Sequence, residues 1–323
     1  MARAAISLFF SLGLVSGQWR EAKPDEIPAT FKSTVSLVRV DVEVADRGRS
    51  ITGLKKEDFV VRDNGAPVAL DGIGREEVPL DLILMFDVSG SMRPVVEAVA
   101  SVAWEALREL REGDRVAVMD FSTRTRTVLP FTTNLRAVER SIREDVLSEP
   151  FSGSTPMLRA ADNAALKLLE EKRGDRRRAV LFITDNEGQR TMSEGTVVDH
   201  LWEADAVVCG LIVSGYSKAA RVVGGILNPT GIVLDQAMRV GLGGLADKTG
   251  GDLVKASSVE RDFPAMMQRL RLRYTLFYPM PKGKAGEHRK VLVELAPPAK
   301  QSHPEARVYA RKGYILPEPD PAP

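Results

Sequence analysis

Alternating apolar strands and amphipathic helices predict an α/β fold over residues 77–273, a doubly wound and mostly parallel sheet. Both flanks of the chain are expected to join in one small β-sandwich-like module. Three observations lead there. Residues 82–86, 116–121, 180–183 and 207–213 are short apolar runs, which read as strands buried on two faces. Stretches with helical periodicity lie between them. The segments before Leu80 and after Arg273 instead alternate with a period of two, the mark of strands with one wet face.

At the amino terminus, Arg3 precedes an apolar stretch over residues 4–15, and Val15-Ser16-Gly17 offers small residues for cleavage. Residues 1–17 therefore read as a secretory signal peptide, with an uncleaved anchor as the rival. The apolar stretch is shorter than an ordinary spanning helix needs. No transmembrane candidate follows it, and no cysteine stands after it to carry a lipid. The expectation is an exported chain, periplasmic, on the cell surface or secreted. Residues 18–32, with Pro24 and Pro28, read as a linker.

Residues 33–76 form the front β segment. The alternation over 34–44 is one strand, Lys55-Lys56-Glu57-Asp58 is a polar turn, and Asp63-Asn64-Gly65 between two short strands is a hairpin signal. Beyond the 82–86 strand, Pro94 and the periodic Val95, Val99, Ala103, Ala106, Leu107 and Leu110 mark a helix. Pro130 makes residues 127–131 an edge strand. A helix is expected over 157–169, where Leu158, Ala161, Ala165 and Leu168 share a face. Arg176-Arg177-Arg178 reads as a solvated turn, and Cys209, inside an apolar strand, as a small core residue. Residues 214–235 are Gly-rich and poor in pattern, a loop. Gly250 caps a helix end, a last strand starts at 252–254, and 263–272 is the closing helix. Residues 274–315 are the second β segment, with strands at 274–278, 290–295 and 307–310. Its expected core partners are Val38, Val40, Val42, Leu276, Leu292 and Val308. Residues 316–323 are Pro-rich and expected to be a disordered tail.

A formal net charge of +1 provides no field for nucleic acid, so none is expected as a partner. One cysteine excludes an intrachain disulfide, and His200, His288 and His303 lack metal-ligand spacing.

The chemistry concentrates after the first buried strand. Asp87-Val88-Ser89-Gly90-Ser91 places three oxygen-bearing side chains at alternate positions where open α/β sheets bind ligands. Such oxygens suit a hard cation. Plain structural readings exist beside this one. Ser91 and Thr155 could cap helices, and Asp87 and Asp185 could be turn formers.

Asp87-x-Ser89-x-Ser91 after an apolar strand resembles the first loop of the metal-ion-dependent adhesion site of von Willebrand factor A domains. That resemblance implies a Thr from a second loop and an Asp from a third. Thr155 in Phe151-Ser152-Gly153-Ser154-Thr155-Pro156 and Asp185 at the end of a second apolar strand match in order. One departure stands out: Asn186-Glu187-Gly188 follow Asp185, where many relatives have Gly at once. The run Ile51-Thr52-Gly53-Leu54-Lys55-Lys56-Glu57-Asp58-Phe59 and the end Ala310-Arg311-Lys312-Gly313-Tyr314 are similar to flanks of exported acidobacterial-type relatives.

The resemblance implies Mg²⁺, with Mn²⁺ or Ca²⁺ as substitutes. Ser89, Ser91 and Thr155 would contact the ion directly, and Asp87 and Asp185 would hold it largely through waters. One coordination position would remain open for an Asp or Glu carboxylate of a protein partner. Arg124, Arg126 and Glu187 are candidate partner-facing residues. The expected function is a metal-dependent adhesion or interaction module, not an enzyme. The alternatives are a scaffold with a vestigial site and a metal-dependent hydrolase. Against the enzyme, no phosphate-binding glycine motif follows the first strand, and Val88-Ser89-Gly90-Ser91 lacks the first Gly of a nucleophile elbow.

Overall fold

Eight consecutive buried residues, Leu80–Asp87, form β6, the strand around which the α/β part is built. The computed structural model describes residues 36–74, 78–172, 174–189, 191–213 and 239–317. The expected signal peptide, the linker and the 214–235 loop lie outside the described residues. Before β6 come β1 (Leu37–Asp46), β2 (Arg49–Ser50), β3 (Phe59–Asp63), β4 (Ala66–Val68) and β5 (Gly72–Gly74).

After β6 the chain alternates. It forms α1 (Arg93–Leu107), β7 (Arg115–Phe121), β8 (Thr125–Thr132), α2 (Leu135–Arg140), α3 (Met157–Leu169) and β9 (Arg177–Thr184). Then follow β10 (Gly188–Gln189), α4 (Glu194–Glu203), β11 (Ala206–Ile212), β12 (Arg239–Val240), α5 (Gly243–Thr249), β13 (Leu253–Lys255) and α6 (Val259–Arg271). The central sheet has the order β13-β11-β9-β6-β7-β8. Every pairing is parallel except β8, the antiparallel edge strand that contains Pro130. The expected doubly wound sheet is observed. Residues of α1, α2 and α6 pack on one face, those of α3, α4 and α5 on the other. Gly250 caps α5 in the left-handed conformation, with φ 81°. Cys209 is buried in β11, as its setting predicts.

The flanks build two antiparallel sheets. In one, β1 pairs with both β14 (Tyr274–Pro279) and β16 (Arg307–Ala310). In the other, β3 pairs with β15 (His288–Leu295), which also pairs with β17 (Gly313–Ile315). A short helix, α7 (Pro297–Ser302), interrupts the second segment. Neither flank closes a sheet without the other, as expected from their strand number. Val38, Val40, Val42 and Leu276 enter the shared core, and Val308 packs at its edge.

Three expectations fail here. Leu292 is 51% exposed, while Val291, Val293 and Leu295 fill the core. An unbroken Val-Leu-Val run hides the phase of a period-two pattern, and the register opposite β3 decides it, with Leu292 across from exposed Arg62. Leu316 belongs to the core and not to a tail: it is 4% exposed, and its amide donates to the Glu287 carbonyl.

The third concerns Arg176-Arg177-Arg178, which is not a solvated turn. Arg177 and Arg178 begin β9 and are buried. Arg177 donates to the Leu270, Arg271 and Arg273 carbonyls at the end of α6. Arg178 donates to the Glu171, Lys172 and Ala204 carbonyls past the ends of α3 and α4. Helix ends leave carbonyls unpaired and carry partial negative charge, so a guanidinium fork satisfies both needs. Arg176 pairs with buried Asp81 at 2.5 Å.

Buried and half-buried ion pairs join module and sheet domain. Glu43 of β1 accepts from Arg269 at 2.7 Å and Arg273 at 3.3 Å, and Arg269 also reaches Asp252 at 2.5 Å. Asp205 accepts from Arg39 at 2.6 Å and Arg311 at 2.7 Å. Breaking a buried pair leaves an uncompensated charge. Glu43→Ala is therefore expected to lower unfolding stability by about 3–5 kcal/mol, measured by urea denaturation of the full chain. Burial pushes the Cys209 thiol up to about 11, so little thiolate exists at neutral pH. A thiol reagent should label Cys209 slowly in the native chain and rapidly in denaturant; fast native labelling would contradict its buried position.

Candidate metal centre

Connections leave β6 and β9 toward opposite faces of the sheet, α1 on one and α4 on the other. In open α/β sheets such a divergence marks where ligands bind, outside the carboxyl ends of the two strands. Phe86 pairs with Ile183, so Asp87 and the Thr184–Asp185 step emerge side by side.

Asp87 is fully buried. Its Oδ1 accepts from the Ser89 amide at 2.9 Å, and its Oδ2 accepts from the Thr184 hydroxyl at 2.7 Å. The Ser91 hydroxyl donates to Asp185 Oδ2 at 2.9 Å, joining the first loop to the third. Asp185 Oδ1 accepts from the Glu187 amide at 3.1 Å. Thr155 is nearly buried, and its carbonyl accepts from the Gln189 amide at 2.9 Å, joining the second loop to the third. A Cβ on Gly90 would lie 3.6 Å from the Phe151 carbonyl oxygen, so the first loop also lies against the second. All five predicted metal-site residues thus sit on three adjoining loops.

The capping readings do not hold. The cap positions of α1 and α3 are Met92 and Pro156, and neither helix has a side-chain cap. Among the described residues the Thr155 hydroxyl takes no hydrogen-bond partner.

Burial pushes the Asp87 carboxyl up to about 6, and the nearby Asp185 charge adds to the rise. Hydrogen bonds from Thr184 and Ser89 oppose it without cancelling it. The donor set is oxygen only, two carboxylates and three hydroxyls, gathered around the fully buried Asp87. A small divalent cation fits those requirements.

Asn186 adopts φ 62°, the left-handed region that Asn tolerates better than most residues. That explains how this chain manages without Gly after Asp185. Glu187 follows on the same loop and is half-buried. Arg124 is exposed on the turn between β7 and β8. Arg126 is engaged by two carboxylates, Asp120 at 2.7 Å and Glu149 at 2.5 Å, which braces the second loop. Arg93 stacks 4.4 Å from the Phe151 ring centre and donates to the Leu147 and Glu149 carbonyls, a second brace. Sequence reading passed over Thr184, whose hydroxyl holds Asp87. Its signal was its place at the end of an otherwise apolar strand, one residue before Asp185.

Residues 82–189 match the family model of the von Willebrand factor type A domain. The match runs from β6 to β10 and takes in all three loops. Comparison with curated proteins finds no match. Similar solved structures include the conserved hypothetical protein BatB from Bacteroides thetaiotaomicron, at 17% identity over 59% of this chain and 97% of that one, TM-score 0.43. Another is an aerotolerance-related membrane protein from Bacteroides fragilis NCTC 9343, at 14% identity over 59% and 98%, TM-score 0.43. A third is a von Willebrand factor type A protein from Catenulispora acidiphila, at 10% identity over 88% and 74%, TM-score 0.44.

Because the fold raises the Asp87 pKa to about 6, the metal-free native chain holds this proton more tightly than the unfolded chain does. The resulting stabilisation is complete below about pH 4 and is lost as pH rises through about 6. The ionised carboxylate then costs about 3 kcal/mol relative to an ordinary one. In chelator, Asp87→Asn should gain about 3 kcal/mol on the wild type between pH 4 and pH 7. Urea unfolding at the two pH values measures this; a constant difference would refute the raised pKa.

Proposed function

We propose that this chain is an exported, Mg²⁺-dependent protein-binding module whose metal centre accepts a carboxylate from its partner. The observation that carries the reading is the Ser91–Asp185 hydrogen bond, which brings together two loops 94 positions apart beside Thr155 and buried Asp87. Domains of this family are generally interaction modules rather than enzymes.

Ser89, Ser91 and Thr155 would hold the ion directly, with Asp87 and Asp185 acting largely through water. The bound ion would supply concentrated positive charge and an open position for one more oxygen ligand. The chain's own residues set its preference. Three neutral hydroxyls donate no charge, and Asp87 and Asp185 are partly occupied by hydrogen bonds from Thr184, Ser89 and Ser91. An outside Asp or Glu side chain is therefore the favoured additional ligand. Arg124, exposed near the β7 end, would make a second contact with an acidic partner. Export rests on the apolar amino-terminal stretch. Among the described residues, no helix is long and apolar enough to cross a membrane.

Calorimetry tests the metal, and a pull-down tests the partner. The wild type should bind Mg²⁺, and Asp87→Ala should remain folded with no measurable Mg²⁺ binding. Partner capture from the native cell envelope should require Mg²⁺ and fail in chelator. Unchanged Mg²⁺ affinity in folded Asp87→Ala would reject the site. Capture that persists in chelator would leave the chain as a scaffold with a vestigial centre.

A further inference from the structure

We propose that Asn186 is a positioning residue that ties the third loop of the metal centre to the 239–242 backbone, so that Asp185 and the start of α5 are held as one unit. The proposal rests on the metal reading above and deepens it, because it names a residue that governs the affinity of that site.

The local backbone takes φ 62°, where Gly would fit at no steric cost. Asn occupies it instead, and its side chain has a specific task. Its Oδ1 accepts the Leu242 amide at 2.8 Å, across 56 positions. The approach is close enough that a Cβ on Gly241 would lie 2.7 Å from Asn186 Nδ2, so a side chain at 241 would have to displace the Asn186 carboxamide. Leu242 is itself fully buried and packs in the core with Leu245 of α5. The tether is thus anchored at its far end.

At its near end it meets the metal loops from two directions. The Asn186 amide donates to the Thr184 hydroxyl at 3.0 Å, and that hydroxyl donates to Asp87. Two residues on, β10 pairs with β12, Gly188 opposite Val240 and Gln189 opposite Arg239. The Gln189 amide in turn donates to the Thr155 carbonyl. A continuous hydrogen-bonded path therefore runs from Asp87 through Thr184 and Asn186 to Leu242, and the β10–β12 ribbon links the same backbone to Thr155. Removing the Asn186 carboxamide would strand the Leu242 donor and free the third loop at the residue beside Asp185.

The test compares Asn186→Gly and Asn186→Asp in the full chain. Gly keeps the left-handed backbone and loses the tether; Asp keeps an acceptor oxygen at the same place. Three readouts are taken: thermal midpoint in chelator, hydrogen exchange at the Leu242 amide, and Mg²⁺ affinity by calorimetry. Asn186→Gly should melt within about 4 °C of the wild type. Its Leu242 amide should exchange at least tenfold faster, and its Mg²⁺ affinity should fall roughly 2- to 10-fold, the change carried by one net hydrogen bond. Asn186→Asp should retain slow exchange and at least wild-type affinity. Faster exchange with unchanged Mg²⁺ affinity in Asn186→Gly would overturn the proposal, as would no change in either. If the wild type itself binds no Mg²⁺, the metal reading fails first and the proposal falls with it.

Discussion

The parallel pairing of β6 with β9 is the constraint on which the candidate site depends. Its register, Phe86 opposite Ile183, brings the carboxyl ends of two buried strands together. Asp87 then meets the Thr184 hydroxyl, and one residue later Asp185 meets Ser91. Neither contact follows from local sequence. Both strands are buried along their length, which pins the register through the two apolar cores on either side. A buried carboxylate of raised pKa at that junction stores an electrostatic demand in a part of the sheet too well packed to relax it away.

The opposite end of the same sheet has the reverse polarity. Helices that run back from the carboxyl ends of strands finish beside the amino ends of the next strands, with their carbonyls and negative dipole ends inward. Arg177 and Arg178 answer those carbonyls with buried guanidinium groups. Asp81 and Asp114 then balance Arg115, Arg176 and Arg271 nearby. The flank module attaches close to this end, through Glu43 on Arg269 and Arg273 and through Asp205 on Arg39 and Arg311. One end of the α/β part is thus lined by arginine, while the other carries the Asp87 and Asp185 carboxylates. That asymmetry separates the end that holds the flank module from the end that carries the candidate site.

Much of this was legible in the sequence, for definable reasons. Fully apolar runs and helical periodicity marked β6, β7, β9, β11, α1 and α3, because burial on two faces and amphipathic packing leave unambiguous patterns. The loop residues Asp87, Ser89, Ser91, Thr155 and Asp185 were legible because their order and spacing match a known motif, not because their convergence could be computed. What escaped depends on tertiary geometry. The arginines at 176–178 looked solvated because charge usually means surface, and only the helix ends that converge on them make their burial favourable. Leu292 was misplaced because three consecutive apolar residues carry no phase. Thr184 and Asn186 act through partners 97 and 56 positions away, a distance no periodicity reports.

Asn186 shows how a departure from a family pattern can be read physically. Gly after the third-loop Asp meets a backbone need and nothing else; Asn meets the same need at some conformational cost and adds an acceptor. The added acceptor is matched by a donor, the Leu242 amide, and by the absence of any side chain at Gly241. Each of the three residues makes sense only with the other two. A chance exchange of Gly for Asn would leave the carboxamide in solvent, with no reason for Gly at 241. The fit between these positions joins the third loop to the 239–242 backbone, beside the candidate site.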